Sequence, residues 1–311
     1  MSTSVQTKAD TPFVSLEKPR RRPLGSRTFV VALMFLAPSL IGLFGLQLVP
    51  IGTALVLGVS EWNIIDPMQF VGLKNFRDVL TDSTFVKSLY NTFYLTFGLE
   101  VLNTVLGLLV ALLLRHALRF IGLYRTIYIL PLITTWAAVA IAWRYMYSLQ
   151  GPINDLLMVV GVDPVPWLSR PEWAMPAVII TITWKTLAWK TIILLAGLQS
   201  IPAEYYEASS IDGASNRRQF FTITLPLLSP ALFFALIIGI INTLQLFDPI
   251  YIMTQGGPAD ATRTLSYYIY SRGFESLRMG YAAALSWVLF AIIFAITGVQ
   301  WLLQKRWVFY Q

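Results

Sequence analysis

The chain has 311 residues, of which 56% are apolar and only 13% are charged, and its mean hydropathy is +0.63. A soluble domain carries about 25% charged residues, so this composition argues against a water-soluble enzyme. Cysteine is absent and histidine occurs once, which excludes disulfides, thiolate metal sites, a cysteine nucleophile and histidine-rich metal sites. The formal net charge of +7 does not by itself identify a partner, because its meaning depends on where the charges lie.

The first segment, residues 1–28, is polar, basic and contains proline. This composition predicts a disordered tail. It is not typical of a signal peptide, because the apolar run that follows exceeds the roughly 7–15 residues of a signal-peptide core.

Long apolar runs follow this tail. Crossing the hydrocarbon core of a bilayer takes about 20 predominantly apolar residues. Four runs lack charged side chains, one contains Glu100, and one contains Lys185 and Lys190. We therefore predict an all-α, polytopic membrane protein with six transmembrane helices over residues 29–304 and a short C-terminal tail over 305–311. The helices are expected near residues 29–50, 89–114, 126–147, 174–199, 228–250 and 280–304.

The distribution of charge predicts the orientation of these spans. An even number of spans places both termini on one side, which then carries 13 basic and 5 acidic residues. The opposite side carries 8 basic and 10 acidic residues. Since cytoplasmic loops are enriched in Lys and Arg, both termini are predicted to be cytoplasmic. The basic excess is explained by orientation in a lipid bilayer, and no nucleic-acid partner is expected.

The connection between the fourth and fifth predicted spans, residues 200–228, is unusual among the cytoplasmic loops. Pro202 suits the first turn of a helix and Gly213 suits its end, which gives a helix of roughly 11 residues outside the bilayer. Small residues along it allow another backbone to approach closely, and Glu207 and Asp212 offer acceptors to a partner's basic side chains. The residues alone leave an ordinary interfacial amphipathic helix equally open.

A resemblance to a known family begins in this loop. It reads Glu207-Ala208-Ser209-Ser210-Ile211-Asp212-Gly213-Ala214, and Ile223-Thr224-Leu225-Pro226 follow. This pattern resembles the EAA loop of binding-protein-dependent ABC importer permeases, in which the loop forms a coupling helix that docks into a cleft on the ATPase subunit. The resemblance implies an ATPase-coupling role for Glu207, Ala208, Ser209, Asp212, Gly213, Ala214 and Pro226. Ser209 departs from the family pattern, which usually has a second alanine there.

Further segments extend the resemblance over most of the chain from about residue 30 onward. They are residues 70–76, 91–92, 130–131, 196–202, 254–258, 262, 264–265, 268–270 and 280–284. Their order is similar to that of carbohydrate-type permeases, above all the maltose and glycerol-phosphate types. The resemblance implies a type I ABC importer permease fold.

The same resemblance implies the function and the partners. The chain would form half of the translocation pathway for a sugar, a di- or oligosaccharide, with a glycerol phosphate or a polyol as the alternative cargo. The implied partners are a second homologous permease in a heterodimer, two ATPase subunits and an external solute-binding protein, in the cell (inner) membrane of a bacterium or archaeon. The sequence has no Gly-x-x-x-x-Gly-Lys-[Ser/Thr] loop, so ATP and Mg are expected on the ATPase and no cofactor on this chain.

Two alternatives of other classes are a polytopic membrane enzyme and a secondary transporter. An enzyme of this kind usually gathers several carboxylates or histidines. A secondary transporter would show inverted repeats or acidic coupling sites in the bilayer. Neither pattern is evident in the sequence, so the chain is not expected to be an enzyme.

The charged residues inside spans are candidates for the substrate pathway. Each costs about 2.5–3.5 kcal/mol at a helix centre unless it is paired or faces water. Lys185 and Lys190 either line the translocation cavity or have a structural role, and we hypothesise that Glu100 pairs with one of them. The further candidates are Asn242, Gln245, Asp248 and Tyr251. Hydrogen bonding between helices explains the polar ones equally well.

Overall fold

The computed structural model describes residues 26–115 and 121–309. The predicted N-terminal tail lies outside these residues except for its end, and the predicted C-terminal tail is described as far as residue 309. Within the described residues the chain is almost entirely helical, and a single pair of two-residue strands is present.

The first apolar segment is one helical stretch with a wider turn inside it. Helix α1, Ser26–Gly42, continues through a π-helical turn at Leu43–Leu48 into α2, Val49–Gly58. The chain divides into two compact units within α2, the first ending at Gly52 and the second beginning at Thr53.

A small hairpin and a short helix open the second unit. Strand β1, Ser60–Glu61, pairs antiparallel with β2, Gln69–Phe70, and helix α3, Lys74–Thr81, follows. The buried side chain of Asn75 donates a hydrogen bond to the carbonyl oxygen of Ser60 at 2.9 Å. This bond holds α3 against the hairpin.

The second span is a single long helix, and the third is interrupted. Helix α4 covers Ser83–Arg115. In place of one helix over 126–147 the structure has α5, Ile121–Ile133, and α6, Trp136–Met146. The structure therefore differs from the prediction here, since the third span consists of two helices in series.

Two local features accompany the interruption. Pro131, near the end of α5, lacks a backbone N–H and cannot continue the helical ladder normally. Thr135 then has extended backbone angles and acts as the N-cap of α6, because its side chain accepts a hydrogen bond from Ala138 N at 3.4 Å.

After α7, Pro152–Val159, the fourth span is helix α8, Pro171–Gln199. The predicted cytoplasmic loop that follows contains α9, Ala203–Ile211, which is slightly shorter than the predicted helix. The chain then enters α10, Asn216–Gln219.

The fifth span begins earlier and ends earlier than predicted. Helix α10 leads through a π-helical turn at Phe220–Thr224 into α11, Leu225–Leu244. The predicted end at residue 250 is wrong, because a new helix, α12, Asp248–Met253, starts after a break. Pro249 explains the break, since proline fits the first turn of a helix but not its interior.

The chain ends with α13, Leu265–Tyr270, and α14, Met279–Leu303. Five helical segments among the described residues are long and apolar enough to cross a membrane. They are Phe29–Gly58, Ser83–Arg115, Pro171–Gln199, Asn216–Leu244 and Met279–Arg306. Each overlaps one predicted span, and the interrupted third span is not among these five.

The core of the second unit lies where α4, α8 and α11 pack against one another. Leu95 and Leu99 of α4 meet Val178 and Ile182 of α8 in one buried apolar cluster. A second cluster on the same helices contains Leu194 and is closer to the loop that connects α8 to α11. These helices therefore form the rigid frame on which the polar residues of the spans are placed.

Candidate functional site

A cavity of about 360 Å³ opens between α4, α8 and α11, beside the interruption of the third span. Three of the predicted pathway candidates line it: Glu100, Lys190 and Asn242. The other polar and aromatic lining residues are Asn103, Trp136, Thr186, Trp189 and Thr243. The cavity therefore combines one carboxylate and one ammonium group with amides, hydroxyls and indole rings.

The two charged groups of the cavity form a buried ion pair. Lys190 Nζ donates to Glu100 Oε2 and, at 3.2 Å, to Thr104 Oγ1. Thr243 Oγ1 lies 3.4 Å from the other carboxylate oxygen. Pairing and hydrogen bonding offset the cost of burying each charge in a membrane span. The hypothesis that Glu100 pairs with one of the lysines is confirmed, and the lysine is Lys190.

A glycine on α11 makes room for this pair. A Cβ atom at Gly239 would lie 2.6 Å from both carboxylate oxygens of Glu100. Real Cβ atoms do not approach an oxygen so closely, so the absence of a side chain permits the contact between α4 and α11.

Asn103 also points to a binding role for the cavity. Its side chain is buried, and its amide nitrogen donates to Thr186 Oγ1 at 3.0 Å. Its amide oxygen is a buried acceptor without a hydrogen-bond partner. A buried acceptor of this kind costs about 1–3 kcal/mol when unpaired, so a ligand hydroxyl there would be stabilised. Sequence reasoning missed Asn103, although its position three residues after Glu100 places both on one face of α4.

Lys185 does not line the cavity. Its Nζ donates to three backbone carbonyl oxygens at the interruption of the third span: Pro131 at 3.0 Å, Leu132 at 3.3 Å and Thr134 at 2.6 Å. The ammonium group also lies 4.9 Å from the ring centroid of Trp136. Carbonyls at the end of a helix have no partner within the helix, and they attract a cation. Of the two readings of Lys185, the structure favours the structural one.

The remaining pathway candidates lie outside the cavity. Gln245 and Asp248 are exposed on either side of the break between α11 and α12. The ring of Tyr251 stacks on Phe247 with centroids 5.2 Å apart, and it lies 5.2 Å from that of Tyr270.

Helix α9 has an exposed side and a side turned toward the rest of the chain. The exposed side carries Glu207, Ala208 and Ile211, and the Ile211 side chain is 87% exposed. Asp212 and Gly213 end the helix, and Gly213 has a φ of +75°, which glycine adopts without strain. These predicted coupling residues therefore share one accessible surface.

The other predicted coupling residues are less accessible. Ser209 is half-buried on the inner side of α9, and Ala214 is half-buried beyond it. Pro226 does not belong to α9 at all, since it lies in the first turn of α11, where its carbonyl accepts a hydrogen bond from Ser229 Oγ at 2.6 Å. A docked partner would thus meet the exposed residues first.

At the opposite end of the spans, Asp82 joins three helices. It accepts hydrogen bonds from the hydroxyls of Tyr268 and Tyr281, and from the backbone N–H of Thr84 at 2.8 Å. Burial would raise the pKa of Asp82, but these hydrogen bonds outweigh it and lower the pKa to about 2. Because its pKa is lowered on folding, the stabilisation is present above the ordinary pKa and is lost only as the pH falls toward 2. No local sequence pattern pointed to this cluster.

Comparisons with known proteins agree with this architecture. The family model described as "Binding-protein-dependent transport system inner membrane component" matches residues 103–308. The lactose transport system permease protein LacF of Rhizobium radiobacter is 35% identical, over 86% of this chain and 91% of its own. The trehalose/maltose transport system permease protein MalF of Thermococcus litoralis is 40% identical, over 74% of this chain and 78% of its own.

A solved structure is similar in fold. It is a chain of a bacterial alginate ABC transporter, crystallised with an alginate pentasaccharide-bound periplasmic protein. The TM-score is 0.80 with 24% identity, over 90% of this chain and 95% of that chain. The predicted fold class, an all-α polytopic membrane protein with a type I permease fold, is confirmed.

Proposed function

Because the chain belongs to the family of binding-protein-dependent transport system inner membrane components, the permease subunits of ABC importers, we propose that it forms half of the translocation pathway for a sugar. The cargo is a di- or oligosaccharide, as the names of the lactose and trehalose/maltose relatives support. A glycerol phosphate or a polyol is the alternative cargo.

The charge balance of the cavity is the observation that carries this proposal. Lys190 is paired with Glu100, and Lys185, which is not among the lining residues, is hydrogen-bonded to three backbone carbonyl oxygens behind the cavity wall at Leu132 and Trp136. A phosphate ester carries a full negative charge, which an unpaired cation would have to balance. Besides four aliphatic side chains, the lining offers amide, hydroxyl and indole groups, which hydrogen-bond to and stack on a polyhydroxylated ring. The cavity therefore favours a neutral sugar over a glycerol phosphate.

The partners follow from membership of the family. We propose that a second homologous permease completes the pathway as a heterodimer, that two ATPase subunits bind ATP and Mg, and that an external solute-binding protein delivers the sugar. This chain would bind no cofactor and catalyse no reaction itself. Its location is the cell (inner) membrane of a bacterium or archaeon, and the basic residues of the predicted cytoplasmic side support cytoplasmic termini.

The exposed side of α9 is the proposed docking surface for the ATPase. Ile211 supplies an exposed apolar side chain and Glu207 a carboxylate, on a helix that projects from the spans. Closing of the ATPase dimer would displace α9, and the two permease subunits would then switch between inward and outward openings.

The proposal is tested by uptake in proteoliposomes that contain the permease, its cognate subunits and its binding protein. We expect ATP-dependent uptake of a radiolabelled di- or oligosaccharide, unaffected by excess glycerol 3-phosphate. The Asn103→Leu variant should raise the KM for uptake roughly threefold to tenfold, since it removes a hydrogen-bonding group from the cavity. Phe97→Leu is the matched control, because Phe97 is an exposed residue on the same helix outside the cavity.

Two results would contradict the proposal. Uptake driven by a proton gradient without ATP would exclude an ABC importer. Competition by glycerol 3-phosphate but not by sugars would replace the proposed cargo with the alternative one.

A further inference from the structure

Five residues connect α9 to the start of the fifth span, and we call them the α9 bracket: Tyr206, Ser209 and Ser210 of α9, with Gln219 and Thr224. Gln219 Nε2 lies 2.9 Å from Ser209 Oγ, 2.8 Å from Ser210 Oγ and 3.3 Å from the Tyr206 carbonyl oxygen. The hydroxyl oxygens of Tyr206 and Thr224 are 3.0 Å apart. One side of α9 is thus hydrogen-bonded to the segment that leads into α11.

The hydroxyl groups of α9 are oriented to accept from Gln219. Ser209 Oγ and Ser210 Oγ each donate to the Tyr206 carbonyl oxygen, at 3.0 Å and 2.7 Å. Their hydrogens are therefore used within α9, and their lone pairs face the amide group of Gln219. An alanine at position 209 would lack this acceptor, so the departure of Ser209 from the family pattern adds a contact.

The α9 bracket holds both ends of a π-helical turn. Gln219 precedes the turn at Phe220–Thr224, and Thr224 is its last residue. A π-helical turn is a local irregularity in the helical ladder, so it is a place where a helix can yield. Because α9 is hydrogen-bonded just before the turn and at its last residue, a displacement of α9 acts on the whole turn and not on one end alone.

Tyr206 also contacts the end of the second span. The guanidinium carbon of Arg115, the last residue of α4, lies 4.4 Å from the Tyr206 ring centroid, a cation–π distance. The hydroxyl of the same tyrosine meets Thr224, directly before α11. Tyr206 therefore touches the ends of the two helices whose Glu100 and Gly239 meet in the cavity.

We propose that the α9 bracket is the contact through which a displacement of α9 moves α4 and α11, and with them the walls of the cavity. The inference rests on the proposed function, in which the ATPase displaces α9. Tyr206 and Gln219 are positioning residues, since they lie on the inner side of α9 while the docking surface is on the outer side. The two sides of α9 thus have separable roles, docking on the outside and transmission on the inside.

A cysteine reporter in the cavity measures this transmission without a known cargo. The chain contains no cysteine, so Asn242→Cys provides a single thiol on the exposed part of the cavity lining. The rate of its labelling by a water-soluble maleimide is compared with and without MgATP and vanadate, in the full transporter in nanodiscs. In this background we expect the nucleotide to change the labelling rate.

The bracket variants are Gln219→Leu, Gln219→Glu and Tyr206→Phe, each made in the reporter background. Gln219→Glu keeps the shape of the side chain but removes the donor, and Tyr206→Phe keeps the ring beside Arg115 but removes the hydroxyl. We expect each variant to bind the ATPase normally. The nucleotide-dependent change in its labelling rate should be roughly threefold to tenfold smaller than in the reporter background. Thr222→Val is the matched control, because the exposed Thr222 hydroxyl donates only to the carbonyl oxygen of Arg218 on its own segment.

The outcomes separate the bracket from the proposed function. Bracket variants that respond to nucleotide like the background would overturn the bracket alone. Bracket variants that lose the ATPase on purification would also overturn it, because these residues would then serve docking and not transmission. A background complex that binds no ATPase would overturn the proposed function and the bracket with it.

Discussion

Lys185 and Lys190 lie five residues apart on the same helix and have opposite surroundings. Lys190 meets a full negative charge, Glu100, in the wall of the cavity. Lys185 meets the partial charges of three carbonyl oxygens where the third span is interrupted. An α-helix turns about 100° per residue, so five residues place the two ammonium groups on different sides of α8.

This difference shows two ways to satisfy an ammonium group in a membrane span. In an ion pair, each charge offsets the desolvation cost of the other, so removing either partner leaves the other charge buried and unpaired. The contacts of Lys185 with three carbonyl oxygens have a second effect, because they also provide hydrogen bonds to backbone groups that an interrupted helix leaves unpaired. Lys190 therefore belongs to the cavity, whereas Lys185 belongs to the architecture beside it.

The largest expected effect comes from breaking the ion pair. Lys190→Met leaves Glu100 buried without its partner, which costs about 3–5 kcal/mol. We expect a greatly lowered yield of folded protein and a lower Tm in detergent. The double variant Glu100→Gln with Lys190→Met should recover much of this loss, because neither position then carries a charge. A double variant as unstable as the single one would show that the pair is not the source of the effect.

The second effect tests the carbonyl arrangement. Lys185→Met removes the donor from three carbonyl oxygens and should destabilise the protein by about 2–3 kcal/mol, since hydrogen bonds to charged groups are the stronger ones. Here neutralising Glu100 should give no rescue, in contrast to Lys190. The measurement is Tm in detergent for Lys185→Met with and without Glu100→Gln. Rescue by Glu100→Gln would remove the distinction between the two lysines.

The third effect concerns the space around the ion pair. Gly239→Ala places a Cβ atom 2.6 Å from the carboxylate oxygens of Glu100 and should cost about 1–3 kcal/mol through overpacking. Because the added Cβ atom lies in the cavity wall, we expect the rate of uptake to decrease together with Tm. Gly52→Ala is the control, because a Cβ there has no neighbour within 4 Å. Equal losses in both variants would indicate a general intolerance of helical glycines to substitution.

The smallest effect tests the interruption itself. Thr135→Ala removes the N-cap of α6 and should cost about 1 kcal/mol. Thr135→Ser keeps the capping oxygen and should behave like the unchanged protein. A small fall in Tm for alanine and none for serine would confirm that capping matters at this point. Equal behaviour of the two variants would contradict it.

The sequence could predict the spans and the helix in the loop between α8 and α11, because their signals are local. Apolar runs set the positions of the long helices, and Gly213 marks the end of α9 where the structure has it. Pairing of Glu100 with a lysine followed from the cost of buried charge. Which lysine pairs with Glu100 depends on how α8 is rotated about its axis relative to α4. The apolar residues of α8 are spread almost evenly around the helix, so the sequence does not indicate this rotation.

The interrupted third span could not be predicted for a related reason. Membrane helices tolerate proline when neighbouring groups satisfy the freed carbonyls, so Pro131 alone does not decide between a kink and a break. The deciding group, Lys185, lies more than 50 residues further along the chain. Gln219 was missed because it is a single polar residue at the edge of an apolar run, and its partners lie on α9.

The pairing of Glu100 with Lys190 has an electrical consequence. Moving one elementary charge through the membrane field takes about 2.3 kcal/mol per 100 mV, whereas a pair of opposite charges that moves together does almost no electrical work. In the proposed transport cycle, movement of this pair with the cavity walls would therefore add little dependence on the membrane voltage. Lys185 is the uncompensated charge among these three, and its bonds tie it to the backbone of the neighbouring helix.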